Sequence, residues 1–155
     1  MNYKTVQEIF DKYSTSAPVK LIAIANDLGI NVKTDDLGSQ VSGVIKKDKN
    51  SGGASGYTII VNNADNKRRQ RFTIAHEIAH FLLHRQYIGD GIQEDPLYRS
   101  GLPTTMERQA NKLAAIILMP KDLVDKLMIK YNNNKAEVAN ALEVSRQALE
   151  IWLSP

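Results

Sequence analysis

Between Phe72 and Leu83 the chain reads FTIAHEIAHFLL, twelve residues without a Lys, Arg, Gly or Pro. Projected on a helix at about 100° per residue, Thr73, His76, Glu77, His80 and His84 fall in one stripe about 100° wide. Phe72, Ile74, Ala75, Ile78, Ala79, Phe81, Leu82 and Leu83 cover the remainder. A surface helix carries long charged side chains on its wet face, and this segment has none between 72 and 83. Any fold that accepts it must therefore surround it with protein and leave the polar stripe facing a cleft. The predicted helix runs over roughly 72–85.

The rest of the chain can supply those surroundings. At 155 residues it is long enough for one domain with a real core, and its 43% hydrophobic and 24% charged residues are ordinary for a globular protein. The segment 17–29 reads as a helix with Pro18 near its start and Gly29 as its stop. The β-branched runs INVKT, VSGVIKK and YTIIVNN predict a small antiparallel three-stranded sheet, with NSGGASG (50–56) as a flexible hairpin loop between the last two. A loop rich in Gly and Pro follows the histidine helix up to Pro103. TTMERQANKLAAIILM is a second long helix, and Pro120 opens a third. Two short helices, capped by Asn134 (with Glu137 three residues on) and by Ser145, complete a helical C-terminal part over 120–155 that is expected to pack on the same domain. The order of elements predicts an α+β fold.

Composition removes several alternatives. The longest strongly apolar run, LAAIILM at 113–119, falls far short of the roughly 20 residues of a membrane-spanning helix. The first residues, MNYKTVQEIFDKYSTS, have polar residues where a secretory leader needs an apolar core. With no cysteine, any transition-metal site must use His, Asp or Glu, and a cytoplasmic location fits best. The net charge of +3 is local: Lys67, Arg68, Arg69 and Arg71 lie in NKRRQR, and without them 16 basic face 17 acidic side chains. That stretch reads as a solvated turn before the helix rather than a phosphate-binding patch.

The spacing within the stripe carries chemistry. His76 and His80 stand one turn apart on one face, close enough for both imidazoles to hold one ion at about 2.0–2.1 Å. Glu77 sits beside the pair without being forced into coordination, so it can accept a proton from an attacking water. His76-Glu77-x-x-His80 is the zinc metallopeptidase pattern. The competing reading is a solvated His/Glu face with no metal.

A catalytic zinc commonly has a third protein ligand. His84 lies about 12 Å from His76 along a continuous helix, too far to share the ion, and is expected at the rim, touching substrate or packed. Glu107 is the better candidate, on a face with Ala110, Asn111, Ala114 and Leu118, and Asn111 could support the outer nitrogen of a ligating histidine. Thr104-x-x-Glu107 is equally a capping box, which would turn Glu107 toward its own helix end. On the residues alone the two readings of Glu107 stand side by side.

HEIAHFLLH followed by ERQANKLAAIILMP resembles the ImmA/IrrE family of bacterial metallopeptidases, and VSGVIKK, IIVNN, RQRFTIAHE and EVSRQALEIWL extend the likeness over roughly 17–153. Ala79 stands where that family often has Gly, and Leu113 where it often has Phe. The resemblance implies a minimal gluzincin-like zincin over 1–155 in which His76, His80 and Glu107 bind one Zn2+ and Glu77 is the catalytic acid/base. It implies a protein substrate, a helix-turn-helix (XRE-type) repressor or antitoxin of a mobile element or stress response. Candidates to steady the oxyanion are His84, Tyr87, Tyr98 and Arg99.

Two other functions are compatible with the residues. AEVANALEVSRQALEIWL has a helix-turn-helix cadence with Val144-Ser145 at the turn, as in a DNA-binding regulator. Its second helix offers only Arg146 and Gln147 to bases, and 121–155 balances five basic against five acidic residues, so direct nucleic-acid binding is disfavoured and a packing or partner-docking role preferred. The chain could also be a non-catalytic zinc-binding sensor or interaction module, against which the intact Glu77 argues.

Overall fold

The computed structural model describes residues 2–88, 92–94 and 102–155. Helices α1 (Tyr3–Tyr13) and α2 (Leu21–Asp27) lead into strands β1 (Ile30–Asp35), β2 (Gly43–Lys47) and β3 (Tyr57–Asn62). The long helix α3 (Lys67–Leu83) follows, then β4 (Ile92–Glu94) and helices α4 (Thr104–Leu118), α5 (Lys121–Lys130), α6 (Lys135–Leu142) and α7 (Arg146–Leu153). The fold is α+β, and one hydrophobic cluster runs from Ile9 of α1 to Leu149 of α7. No helix among the described residues is long and apolar enough to cross a membrane.

The sheet differs from the predicted antiparallel three-stranded one. Among the described residues it has four strands in the order β1-β3-β2-β4, and β1 runs parallel to β3, from Ile30 opposite Tyr57 to Asp35 opposite Asn62. Only the β2–β3 hairpin and the β2–β4 pair are antiparallel. The reason lies in the glycine loop, which is hydrogen-bonded and packed rather than a free hairpin loop. The Gly29 carbonyl accepts from the Ser55 N–H (3.0 Å) and the Ser55 hydroxyl (2.7 Å), and Asn31 Nδ2 donates to the Ser51 carbonyl. A Cβ on Gly53 would overlap the Gly29 carbonyl, so only glycine permits this approach. Both strands leave the same clamp at their first residues and must run the same way.

The loop also holds a titrating group. The Asp48 carboxylate accepts from the Ser51 hydroxyl and from the N–H groups of Asn50 and Ser51, bonds that hold its pKa down at about 2. A carboxyl depressed in the folded state contributes stability that is complete above its unfolded value of 3.8 and is lost as pH falls toward the folded one. Asp48→Asn is therefore expected to flatten the fall in stability between about pH 4 and pH 2, read by urea unfolding. An unchanged profile would show that the loop does not couple to protons through Asp48.

Helix α3 starts five residues earlier than predicted, because Asn66 caps it: its side-chain oxygen accepts from the Arg69 N–H at 2.9 Å. NKRRQR is thus not a turn but the first turns of this helix. Its cations, unfavourable against the positive end of a helix dipole, are drawn off by tertiary partners. Lys67 and Arg71 approach Glu143 at 2.8 and 3.7 Å, Arg68 donates to the Val144 carbonyl and Asn140 Oδ1, and Arg71 also donates to the Val19 carbonyl. These bonds tie the turn between α6 and α7, and the segment before α2, to the helix that carries the histidines. That pinned segment also explains why α2 begins at Leu21, four residues later than the predicted helix.

Two features set the position of α3. At Gly43 a Cβ would strike the Thr73 methyl, so its absence lets α3 lie close against β2. On the other side α4 packs against α3 through a face where Ala110 and Ala114 are fully buried. The consequence is the enclosure predicted from the missing charges: every residue from Thr73 to Phe81 is buried.

Candidate metal centre

Enclosure brings three polar side chains from two helices to one point. His76 Nε2 lies 3.3 Å from Glu107 Oε2, His80 Nε2 lies 3.1 Å from Glu107 Oε1, and the two imidazoles meet edge to face with centroids 4.6 Å apart. One ligand atom from each lies within 4.8 Å of the others, and all three residues are buried. Two ligands about 2.0–2.1 Å from one ion at the tetrahedral angle stand about 3.3 Å apart, so this spacing already matches a shared metal. The donor set, two imidazole nitrogens and one carboxylate, suits zinc or a similar borderline cation.

Glu107 faces the histidines, not its own helix end. The N-cap of α4 is Pro103, which offers no side-chain cap, and Thr104 is already inside the helix. The capping box therefore does not form. Burial alone would raise the Glu107 carboxyl, but hydrogen bonds from His76 and His80, with their charge, carry it well below the usual carboxylate range. An ionised carboxylate between two imidazoles is what a cation needs as a third ligand. Glu77, next to His76 on α3, is fully buried.

Around this group the structure rearranges two expectations. Asn111 was the expected support for a ligating histidine, yet its Oδ1 is buried and accepts no hydrogen bond among the described residues. His84, expected at the rim, stands behind His80 instead. It is buried, its Nδ1 lies 2.9 Å from His80 Nδ1, and its Nε2 lies 2.8 Å from Gln109 Oε1. With His80 Nε2 turned to Glu107, a proton on His80 Nδ1 can be donated to His84 Nδ1, which leaves His84 Nε2–H to donate to Gln109. Gln109 was not singled out from sequence, because two residues beyond Glu107 it projects to nearly the opposite side of α4. Phe72 was missed as a neighbour too; it stacks on the His76 ring with centroids 5.9 Å apart. Tyr87 is half exposed on a 3₁₀ turn after α3, and Tyr98 and Arg99 lie outside the described residues.

The turn with helix-turn-helix cadence is occupied by packing. Val144 is buried and its carbonyl is bonded by Arg68, while Arg146 pairs with Glu150 at 3.0 Å along its own helix.

Fold and site together define an α+β protein whose buried helix pair presents a His-His-Glu group that could hold a metal ion, with a glutamate beside the first histidine. The sequence matches the IrrE N-terminal-like domain, peptidase family M78, over residues 25–154, and the chain belongs to that family. It is 32% identical over 102 residues to the radiation response metalloprotease IrrE of Deinococcus deserti, covering 57% of this chain and 33% of that protein. The IrrE of Deinococcus radiodurans is 31% identical over 100 residues, covering 56% of this chain and 27% of its own. The chain thus spans about a third or less of the curated relatives it matches. A Mycobacterium tuberculosis transcriptional regulator has a similar fold, with a TM-score of 0.54 at 13% identity over 95% of this chain and 45% of that one.

Proposed function

We propose that this chain is a zinc-dependent regulatory endopeptidase of gluzincin type. The observation that carries the reading is the convergence of His76, His80 and Glu107 at ligand spacing beside the buried Glu77. His76, His80 and Glu107 hold one Zn2+, which when bound acidifies water and polarises a carbonyl. Glu77 takes the proton of the attacking water on its carboxylate and returns it to the leaving amine. His84 and Gln109 hold the His80 ring in the tautomer that presents the Nε2 lone pair as a ligand. The family resemblance and the relatives named as metalloproteases support a protein substrate, and a cytoplasmic helix-turn-helix (XRE-type) repressor or antitoxin is the proposed one.

The test is cleavage of a candidate repressor by the purified chain, before and after chelation and after zinc is restored. Loss on chelation with recovery on zinc addition is expected; cleavage indifferent to chelator would sink the zinc mechanism. His84→Ala is expected to weaken zinc affinity by about 10- to 100-fold, as outer-shell partners of a ligating histidine do. Chelator competition measures it. Affinity equal to wild type would reduce His84 to a packed side chain.

A further inference from the structure

We propose that the groove between the start of α3, the middle of α4 and α7 anchors the protein substrate through an apolar segment flanked by carboxylates. The proposal rests on the peptidase reading above and names the kind of sequence its substrate presents. The groove has a volume of about 760 Å³, within the range of ligand sites. Phe72, Ala115, Ile151 and Trp152 line it, and Ile151 is 66% exposed, an aliphatic side chain left largely in water beside a half-buried indole.

Its charge is of one sign. Arg68, Arg69 and Lys112 line the groove, and among the described residues no acidic side chain does. Of the carboxylates on the adjoining elements, Glu143 is engaged with Lys67 and Arg71 and Glu150 with Arg146, while Glu77 and Glu107 are buried beside the histidines. Arg69 is held over the Phe72 ring and against the Ser42 hydroxyl, and Arg68 against Val144 and Asn140, so neither guanidinium meets a carboxylate among the described residues. A partner that brings carboxylates to this rim and aliphatic or aromatic side chains to the floor matches both features. The backbone of duplex DNA matches only the first, since its bases stay stacked within the helix and leave nothing to place on Ile151 and Trp152.

Position connects the groove to the chemistry. Phe72 lines it and stacks on His76, one turn further along α3; Asn111 lines it one turn beyond Glu107 on α4. The groove therefore opens about 6 Å along each helix from two of the three ligand residues. A segment seated there delivers the adjoining backbone to the metal group.

Trp152 is the only tryptophan, so its emission reports occupancy. The full chain carrying Glu77→Gln is titrated, with and without zinc, with two synthetic peptides that share a Leu/Phe centre, one flanked by glutamates and the other by lysines. A saturable blue shift with the glutamate peptide alone is expected. Lys112→Glu and Ile151→Glu, both at exposed positions and checked for folding by circular dichroism, should each weaken it by about ten-fold or more. No saturable shift, equal binding of the two peptides, or binding indifferent to both substitutions would overturn the proposal. So would a shift on concentrating the protein alone, which assigns the groove to a second copy, or a shift with duplex DNA and none with peptide. Binding is read without turnover. Peptide binding to the variant together with a zinc-loaded wild-type chain that never cleaves refutes the peptidase reading alone, and zinc-dependent cleavage by the wild type without peptide binding refutes the groove alone.

Discussion

Glu107→Ala is expected to purify without zinc, where the wild-type chain, stripped and reconstituted, carries about one ion per molecule. His76 and His80 would remain as two ligands on one helix, and two imidazoles alone hold zinc far more weakly than a closed set of three. The substitution also removes the carboxylate that both Nε2 atoms face at 3.1–3.3 Å. Breaking a buried charged pair costs about 3–5 kcal/mol, and less where the imidazoles left behind shed their protons, so the variant should melt below wild type even without metal. Elemental analysis beside a thermal melt separates the two effects. A capping glutamate would have cost only about 1 kcal/mol and left zinc in place. Retention of one zinc by Glu107→Ala would move the third ligand elsewhere. Failure of the wild type to take up zinc at all would make the cluster a buried ion pair.

Glu77→Gln should behave in the opposite way, keeping the ion and losing the reaction. The amide fills the same volume on a fully buried stretch of α3, so fold and zinc content should match wild type. Without a carboxylate to take the proton of the attacking water, turnover is expected to fall by about 10²- to 10⁴-fold, the usual worth of a positioned general base. Single-turnover cleavage of a zinc-loaded variant measures this. Wild-type rates would strip Glu77 of its role, and a substitution silent in every assay would favour a sensor module in which the metal only holds structure.

Much of the site was legible because its determinants are local. The i, i+4 placement of His76 and His80 is a property of helical pitch. The absence of Lys and Arg over 72–83 predicted an enclosed helix, and Thr73 to Phe81 are buried. The caps at Asn134 and Ser145 were read correctly because such a bond is made three residues away, to the N–H groups of Glu137 and Ala148. Asn66 is a cap of the same kind, overlooked because the residues that follow it are basic rather than periodic and apolar.

What the sequence by itself determined is the chemistry available: an α+β chain with no thiol, a buried histidine helix and a short set of acids that could complete a metal site. Only the tertiary structure chose among them. Glu107 facing the histidines rather than its own helix end, Gln109 behind His84, the parallel course of β1 and the employment of Lys67, Arg68 and Arg71 as ties to the C-terminal helices all depend on partners 25 to 76 residues away. Helical periodicity fixes which way a side chain leaves its own helix. It carries no record of which neighbour the crossing of α3 on α4, or the glycine clamp beside β1, will bring to meet it.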